Sequence, residues 1–125
     1  MDHLEEVKKL RSTTTVNCSQ SLLVAFGPEI GLEKEEAVKL GAFFGGGMLH
    51  GSACGALSGA LMVLGMKGYT PQEAKNLIRD FRQKHGATDC ATLLSTSAKA
   101  GIAKKDHCNG LIFEMCQALD EILSK

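Results

Sequence analysis

The sequence predicts an all-α fold, a small helical bundle of about five to seven helices with short loops. Three observations carry that expectation. Apolar residues recur at helical spacing through most of the chain. Capping signals stand where helices would begin: Asn17 with Gln20, and Thr70-Pro71 with Glu73. No segment alternates apolar and polar residues for long enough to read as a strand. At 125 residues, the whole span 1–125 is expected to form a single domain.

The elements follow in order. Leu4, Val7 and Leu10 share one face of an opening helix, which Thr13-Thr14-Thr15 breaks. Asn17 opens the second, with Leu22, Leu23 and Phe26 as its buried stripe and Gly27-Pro28 as its end. The third is expected from Glu33 to Phe44, acidic in its first turn and apolar at Ala37, Val38, Leu40 and Phe44. Gly45-Gly46-Gly47 is a break, because three glycines in a row cost too much backbone entropy inside a helix. Ser52 is the expected N-cap of a helix to about Lys67. Thr70 caps the next, which turns Ala74, Leu77, Ile78 and Phe81 inward and stops at Gly86. Asp89 is expected to open a short helix through Leu94, and Asp106 the last one, to Leu123.

Composition excludes several functions. Lys and Arg number 14, as do Asp and Glu, so no global field favours nucleic acid or a membrane surface. The longest basic run is Lys104-Lys105, and Tyr69 with five Phe and no Trp makes a poor stacking platform for bases. The N-terminus lacks a basic region followed by an apolar run, so no signal peptide is expected. The apolar stretch Ala53 to Met66 contains Gly and Ser and is short for a bilayer. A cytoplasmic location is expected, where clustered cysteines more often mean redox chemistry or metal than structural disulfides.

Four of the five cysteines follow a capping residue by one or two positions: Asn17-Cys18, Ser52-Ala53-Cys54, Asp89-Cys90 and Asp106-His107-Cys108. If those residues are N-caps, all four thiols sit at helix N-termini. There the macrodipole and unpaired amides favour a thiolate, which is both nucleophile and metal ligand. A leucine lies about one turn beyond each sulfur, at Leu22, Leu57, Leu93 and Leu111. Cys116, mid-helix between Met115 and Gln117, is expected to pack in the core.

The spacings exclude local motifs. No C-x-x-C occurs, so neither a zinc ribbon nor a thioredoxin-type dithiol is encoded, and there is no C-x-x-C-H for haem. Any site must be assembled from separate helix ends. Four thiolates can hold an iron–sulfur cluster or another thiophilic metal. Alternatively, thiol pairs can cycle to disulfides. Gly55 and Gly59, four apart on the helix of Cys54, leave bare backbone for close helix packing or for a group beside Cys54. The glycine triplet before Met48-Leu49-His50 lacks a phosphate-loop pattern and is read as a connection. His50 and His107 lie near Cys54 and Cys108. A protonated His107 would lower the Cys108 pKa, or the ring would replace a sulfur ligand, although a solvated histidine is the plainer reading. His3 and His85 read as surface residues.

The string Cys54-Gly55-Ala56-Leu57-Ser58-Gly59, with Cys18 upstream and Cys90 and Cys108 downstream, resembles the C_GCAxxG_C_C family, whose members are described as redox-active. Asn17-Cys18-Ser19-Gln20, Phe44-Gly45-Gly46-Gly47 and the run Gly59 to Gly65 fit as well. The similarity covers roughly residues 14 to 123. It implies a small, mostly helical prokaryotic protein with Cys18, Cys54, Cys90 and Cys108 as the functional set and Cys116 outside it. A more distant similarity is to the cluster-binding part of split-Soret cytochromes, whose cysteines are assigned to an iron–sulfur centre.

The expected function is therefore redox. Cys18, Cys54, Cys90 and Cys108 would bind a [2Fe-2S] cluster for electron transfer, in an electron carrier or redox module rather than a stand-alone enzyme. Two alternatives stay open. One is a metal-free thiol–disulfide relay with Cys54 as nucleophile and Cys18 as its companion, Cys54 being read as accessible beside Ser52 and small neighbours. The other is a non-redox metal site held by the same four cysteines, for example zinc. A plain helical interaction module is a third class. A redox partner protein and a homodimer are the expected partners, with no nucleic acid and no transmembrane segment.

Overall fold

The structure, a computed structural model, describes residues 3–125. Its helices are α1 (Leu4–Thr13), α2 (Cys18–Ala25), α3 (Gly27–Ile30), α4 (Lys34–Gly41), α5 (Gly55–Met66), α6 (Pro71–His85), α7 (Cys90–Lys99) and α8 (Lys104–Leu123). A wide turn, Gly47–Gly51, separates α4 from α5. Among the described residues the fold is all-α. The one extended pairing is an isolated antiparallel bridge, Ala53 with Asp89. The helix count lies slightly above the expected range, because Pro28 starts the one-turn helix α3 where a stop was expected.

Helices α2 and α5 form the centre. Leu22, Leu23 and Phe26 of the α2 segment and Ala56, Leu57, Ala60, Val63 and Leu64 of α5 are buried, and α1, α4 and α8 pack around them. Gly59 makes the approach close: a Cβ there would lie 3.1 Å from the Ser19 Cα. The Ser19 hydroxyl donates to the Gly55 carbonyl at 2.7 Å, so the buried polar group is satisfied across the same contact. Cys116 is fully buried in this core.

The predicted boundaries shift where tertiary contacts intervene. The expected Glu33–Phe44 helix ends at Gly41, and Leu40 is exposed rather than inward. The reason is that the Asn17 side-chain Nδ2 donates to the carbonyls of Gly41 and Ala42 at 2.9 and 3.3 Å. Helix α7 runs past Leu94 to Lys99, ending just before a left-handed Gly101. Two expected caps are not caps. The Ser52 carbonyl is taken by the Cys90 amide in the extended pairing, so α5 starts only at Gly55. Asp106 is the third residue of α8, whose N-cap is Ala103. An acidic residue is as favourable in a first turn as before it, which is why the sequence misplaces this start.

His3 is a further correction: it is 7% exposed, not at the surface. Its ring stacks on Phe26 with centroids 3.9 Å apart. Nδ1 lies 2.5 Å from Asp120 and Nε2 lies 2.9 Å from Glu29, while the His3 amide donates to Asp120 at 2.8 Å. Only the imidazolium can donate from both nitrogens. Burial lowers its pKa, but the Asp120 and Glu29 hydrogen bonds and charges outweigh it, and the net shift is upward. This clamp ties the start of α1 to α3 and α8. A folded-state pKa above the unfolded value means the stabilisation is complete below about pH 6.5 and fades as pH rises through the folded pKa. His85 is likewise half-buried, 2.9 Å from Glu114.

His3→Gln is expected to cost about 2 kcal/mol near pH 6. Urea unfolding repeated at pH 9 should show a clearly smaller difference; an equal cost at both values would mean the imidazolium plays no part.

Candidate functional site

The four candidate cysteines come from four elements. Cys18 is the first residue of α2, Cys54 the N-cap of α5, Cys90 the first residue of α7, and Cys108 the fifth residue of α8. Three therefore sit at helix N-termini. Cys108 lies one turn further in, so the capping argument does not hold for it. The Asn17 side chain accepts from the Gln20 amide at 2.8 Å while Gln20 accepts from the Asn17 amide at 2.8 Å, which fixes the start of α2 and Cys18 with it. Asp89 accepts from the Thr92 amide at 2.8 Å and fixes Cys90. Its carboxyl is held below the usual range by the Thr92 hydrogen bonds.

Two backbone bonds bring Cys54 and Cys90 together. The Cys54 amide donates to the Thr88 carbonyl at 2.8 Å, and the Cys90 amide donates to the Ser52 carbonyl at 2.6 Å. The four leucines one turn beyond the sulfurs, Leu22, Leu57, Leu93 and Leu111, are all buried, and they anchor the four helix starts in the core. Each contributes roughly 1.5–3 kcal/mol of burial.

All four cysteines line one cavity of about 180 Å³. Arg11, Lys104, His107 and Leu111 complete much of its wall. Glycine shapes the remainder. A Cβ at Gly55 would lie 2.7 Å from the Phe44 carbonyl oxygen and 3.0 Å from the Cys18 Cβ. A Cβ at Gly47 would lie 2.5 Å from the Ser52 carbonyl oxygen and 2.7 Å from the Cys90 Cβ. The glycine triplet is thus a tight turn packed on Cys90. Gly46 and Gly47 take left-handed backbone, as do Met48 and Leu49, for which that region is strained. His50 is exposed in the same turn.

The thiols differ in their hold on the proton. Cys18 and Cys108 are close enough that the proton of one governs that of the other. Cys18 keeps its proton, through that linkage and through burial, and its pKa rises. The same linkage, with Arg11 and Lys104 nearby, brings Cys108 down to about 6. Burial pushes Cys54 up, against the pull of the Leu57 and Ala56 amides. Burial and the Cys108 charge also raise Cys90, with Lys104 opposing. Cys54 is 5% exposed, so the expected accessible nucleophile is instead closed in. His107 does line the cavity, but its ring lies 2.5 Å from the Ser97 hydroxyl and its pKa is lowered, by burial and by His85. A neutral ring cannot supply the charge that activates Cys108. Arg11 does, and its place in the site is not legible from sequence spacing.

A family model described as "Putative redox-active protein (C_GCAxxG_C_C)" matches residues 16–122. The chain belongs to that family. No curated protein and no solved structure matches the chain. The match spans the four cysteines and all helices from α2 to α7, with nearly all of α8. No helix among the described residues is long and apolar enough to cross a membrane.

At pH 7, limited iodoacetamide treatment followed by peptide mass spectrometry should modify Cys108 first and Cys54 and Cys116 last. The Cys108 rate should rise with pH and level off above about 6, because only the thiolate reacts. Gly55→Ala is expected to cost about 1–3 kcal/mol in urea unfolding, because the added methyl meets the Phe44 backbone rather than a movable side-chain tip.

Proposed function

We propose that this family member is a one-electron redox module whose Cys18, Cys54, Cys90 and Cys108 bind a [2Fe-2S] cluster. The observation that carries this reading is the convergence of four cysteines, from four separate elements, on one cavity. The donor set fits the group: four thiolates match the ligand count such a cluster needs. When bound, the cluster supplies one-electron transfer. Among the described residues no three His, Cys, Asp or Glu side chains are grouped as ligands of a metal ion, so the support for the cluster is the shared cavity and the thiolate count.

The chain's own groups have defined tasks here. Arg11 and Lys104 place positive charge beside the sulfurs and favour their ionised forms. The Ala56 and Leu57 amides do the same at Cys54. Burial keeps Cys18, Cys54 and Cys90 protonated when no ligand is present, so loading must displace three protons and strengthens as pH rises.

A metal-free relay is the second reading, favoured by the place of Cys18 and Cys108 on one cavity and by the linkage between their protons. In it the Cys108 thiolate attacks a substrate disulfide, forming a mixed disulfide and releasing one thiolate. Cys18 then loses its proton and attacks the Cys108 sulfur, releasing the second thiolate and leaving a Cys18–Cys108 disulfide. The substrate gains two electrons and the chain loses two. This assigns attack to Cys108 rather than Cys54.

Anaerobic purification with absorption, iron and sulfide assays tests the choice. Broad bands between about 400 and 600 nm, with iron and sulfide near two per chain, are expected, and replacing any of the four cysteines by Ser should remove or shift them. Colourless, iron-free protein that forms a Cys18–Cys108 disulfide on oxidation would decide for the relay. Tightly bound zinc alone would decide against both.

A further inference from the structure

We propose that the groove beside Cys108, between the α1–α2 connection and the start of α8, binds a small dianion, a dicarboxylate or a phosphate ester. The groove measures about 480 Å³ and is lined by Arg11, Thr14, Thr15, Lys104, Lys105 and Cys108, among others. That volume suits a small molecule rather than a protein segment. Arg11, Lys104 and Cys108 also line the cysteine cavity, so the groove shares a wall with it.

Three cations line the groove and no carboxylate does. None of the ion pairs among the described residues involves Arg11, Lys104 or Lys105. In a chain with 14 basic and 14 acidic residues this is a local excess, not a global one. Arg11 is held in place from two directions. Its Nε donates to the Asn109 side chain at 2.7 Å, and its Nη1 donates to the Val16 carbonyl at 2.6 Å. Both acceptors are neutral, so the guanidinium is oriented by them, and the Cys108 sulfur is the one anionic group beside it in the groove. A pre-set guanidinium with two lysines matches a planar or tetrahedral dianion.

The cations have a competing explanation, which is that they serve only the sulfurs. Arg11 and Lys104 do act on Cys108. Lys105 lines the groove but not the cysteine cavity. Lys105 is thus the residue that separates the two roles. The groove's use as a substrate subsite rests on the redox reading above; the binding itself does not.

The test is an amide NMR titration of the full chain with succinate and with inorganic phosphate, at constant ionic strength. Saturable shifts confined to residues 14–16 and 104–108 are expected, with affinity about two- to fivefold weaker in Lys105→Gln. Saturation by succinate alone identifies a dicarboxylate, by phosphate alone a phosphate ester, and by both a general dianion site. No saturable shift with either anion, or equal affinity in Lys105→Gln, would overturn the proposal. Absorption and iron content of the same preparations report the cluster separately, so failure of one reading does not disguise failure of the other.

Discussion

The close approach of α5 to α2 is the contact on which the rest of the molecule depends. It requires a bare helix face, because side chains at Gly55 and Gly59 would run into Phe44, Cys18 and Ser19. With the two backbones that close, the Ser19 hydroxyl reaches the Gly55 carbonyl and the start of α5 settles beside the start of α2. Cys54 and Cys18 become neighbours as a consequence of core packing. The same contact buries the largest apolar faces of the chain, so moving the sulfurs apart would mean separating the core.

The second pair is brought in by different means. Extended chain at residues 52–54 pairs with residues 88–90, which carries Cys90 to Cys54 through two backbone hydrogen bonds. Cys108 arrives on the long helix α8, held by Leu111, Ile112 and Met115 in the core. Four unrelated local devices therefore deliver four sulfurs: a capping box, a sulfur-bearing N-cap, an aspartate cap and a buried helix face. A site so built is supported by several elements, although each sulfur comes from a different part of the chain.

Charge explains why the thiols differ. Apolar burial opposes ionisation at Cys18, Cys54 and Cys90, and each new thiolate opposes the next. Arg11 opposes it at Cys18 and Lys104 at Cys90, but the balance turns toward the thiolate only at Cys108, where both act and Cys18 keeps the proton. The cavity in its ligand-free form thus carries one favoured thiolate among four sulfurs. The same two cations also line the neighbouring groove.

Much of this was legible in the sequence. Helical periodicity, the Asn17 and Thr70 capping boxes and the glycine and proline punctuation are local, and local signals specify the all-α fold and most helix starts. The cysteine set was picked out by the polar residue before each sulfur, which is a true cap at Asn17 and Asp89 but not at Ser52 or Asp106. What the chain could not disclose locally were the effects of distant partners. Ser52 fails as a cap because residues 88–90 claim its segment, and α4 ends early because Asn17 takes its last carbonyls. His3 is buried because Asp120, from the far end of the chain, completes its hydrogen bonds. Arg11 and Lys105 look like ordinary surface cations until tertiary contacts set them around Cys108. Sequence alone determined the helical elements and singled out the cysteines that share one cavity, since side-chain type and periodicity are local; the tertiary structure decided which thiol is disposed to hold the charge, since that depends on burial and on neighbours distant along the chain.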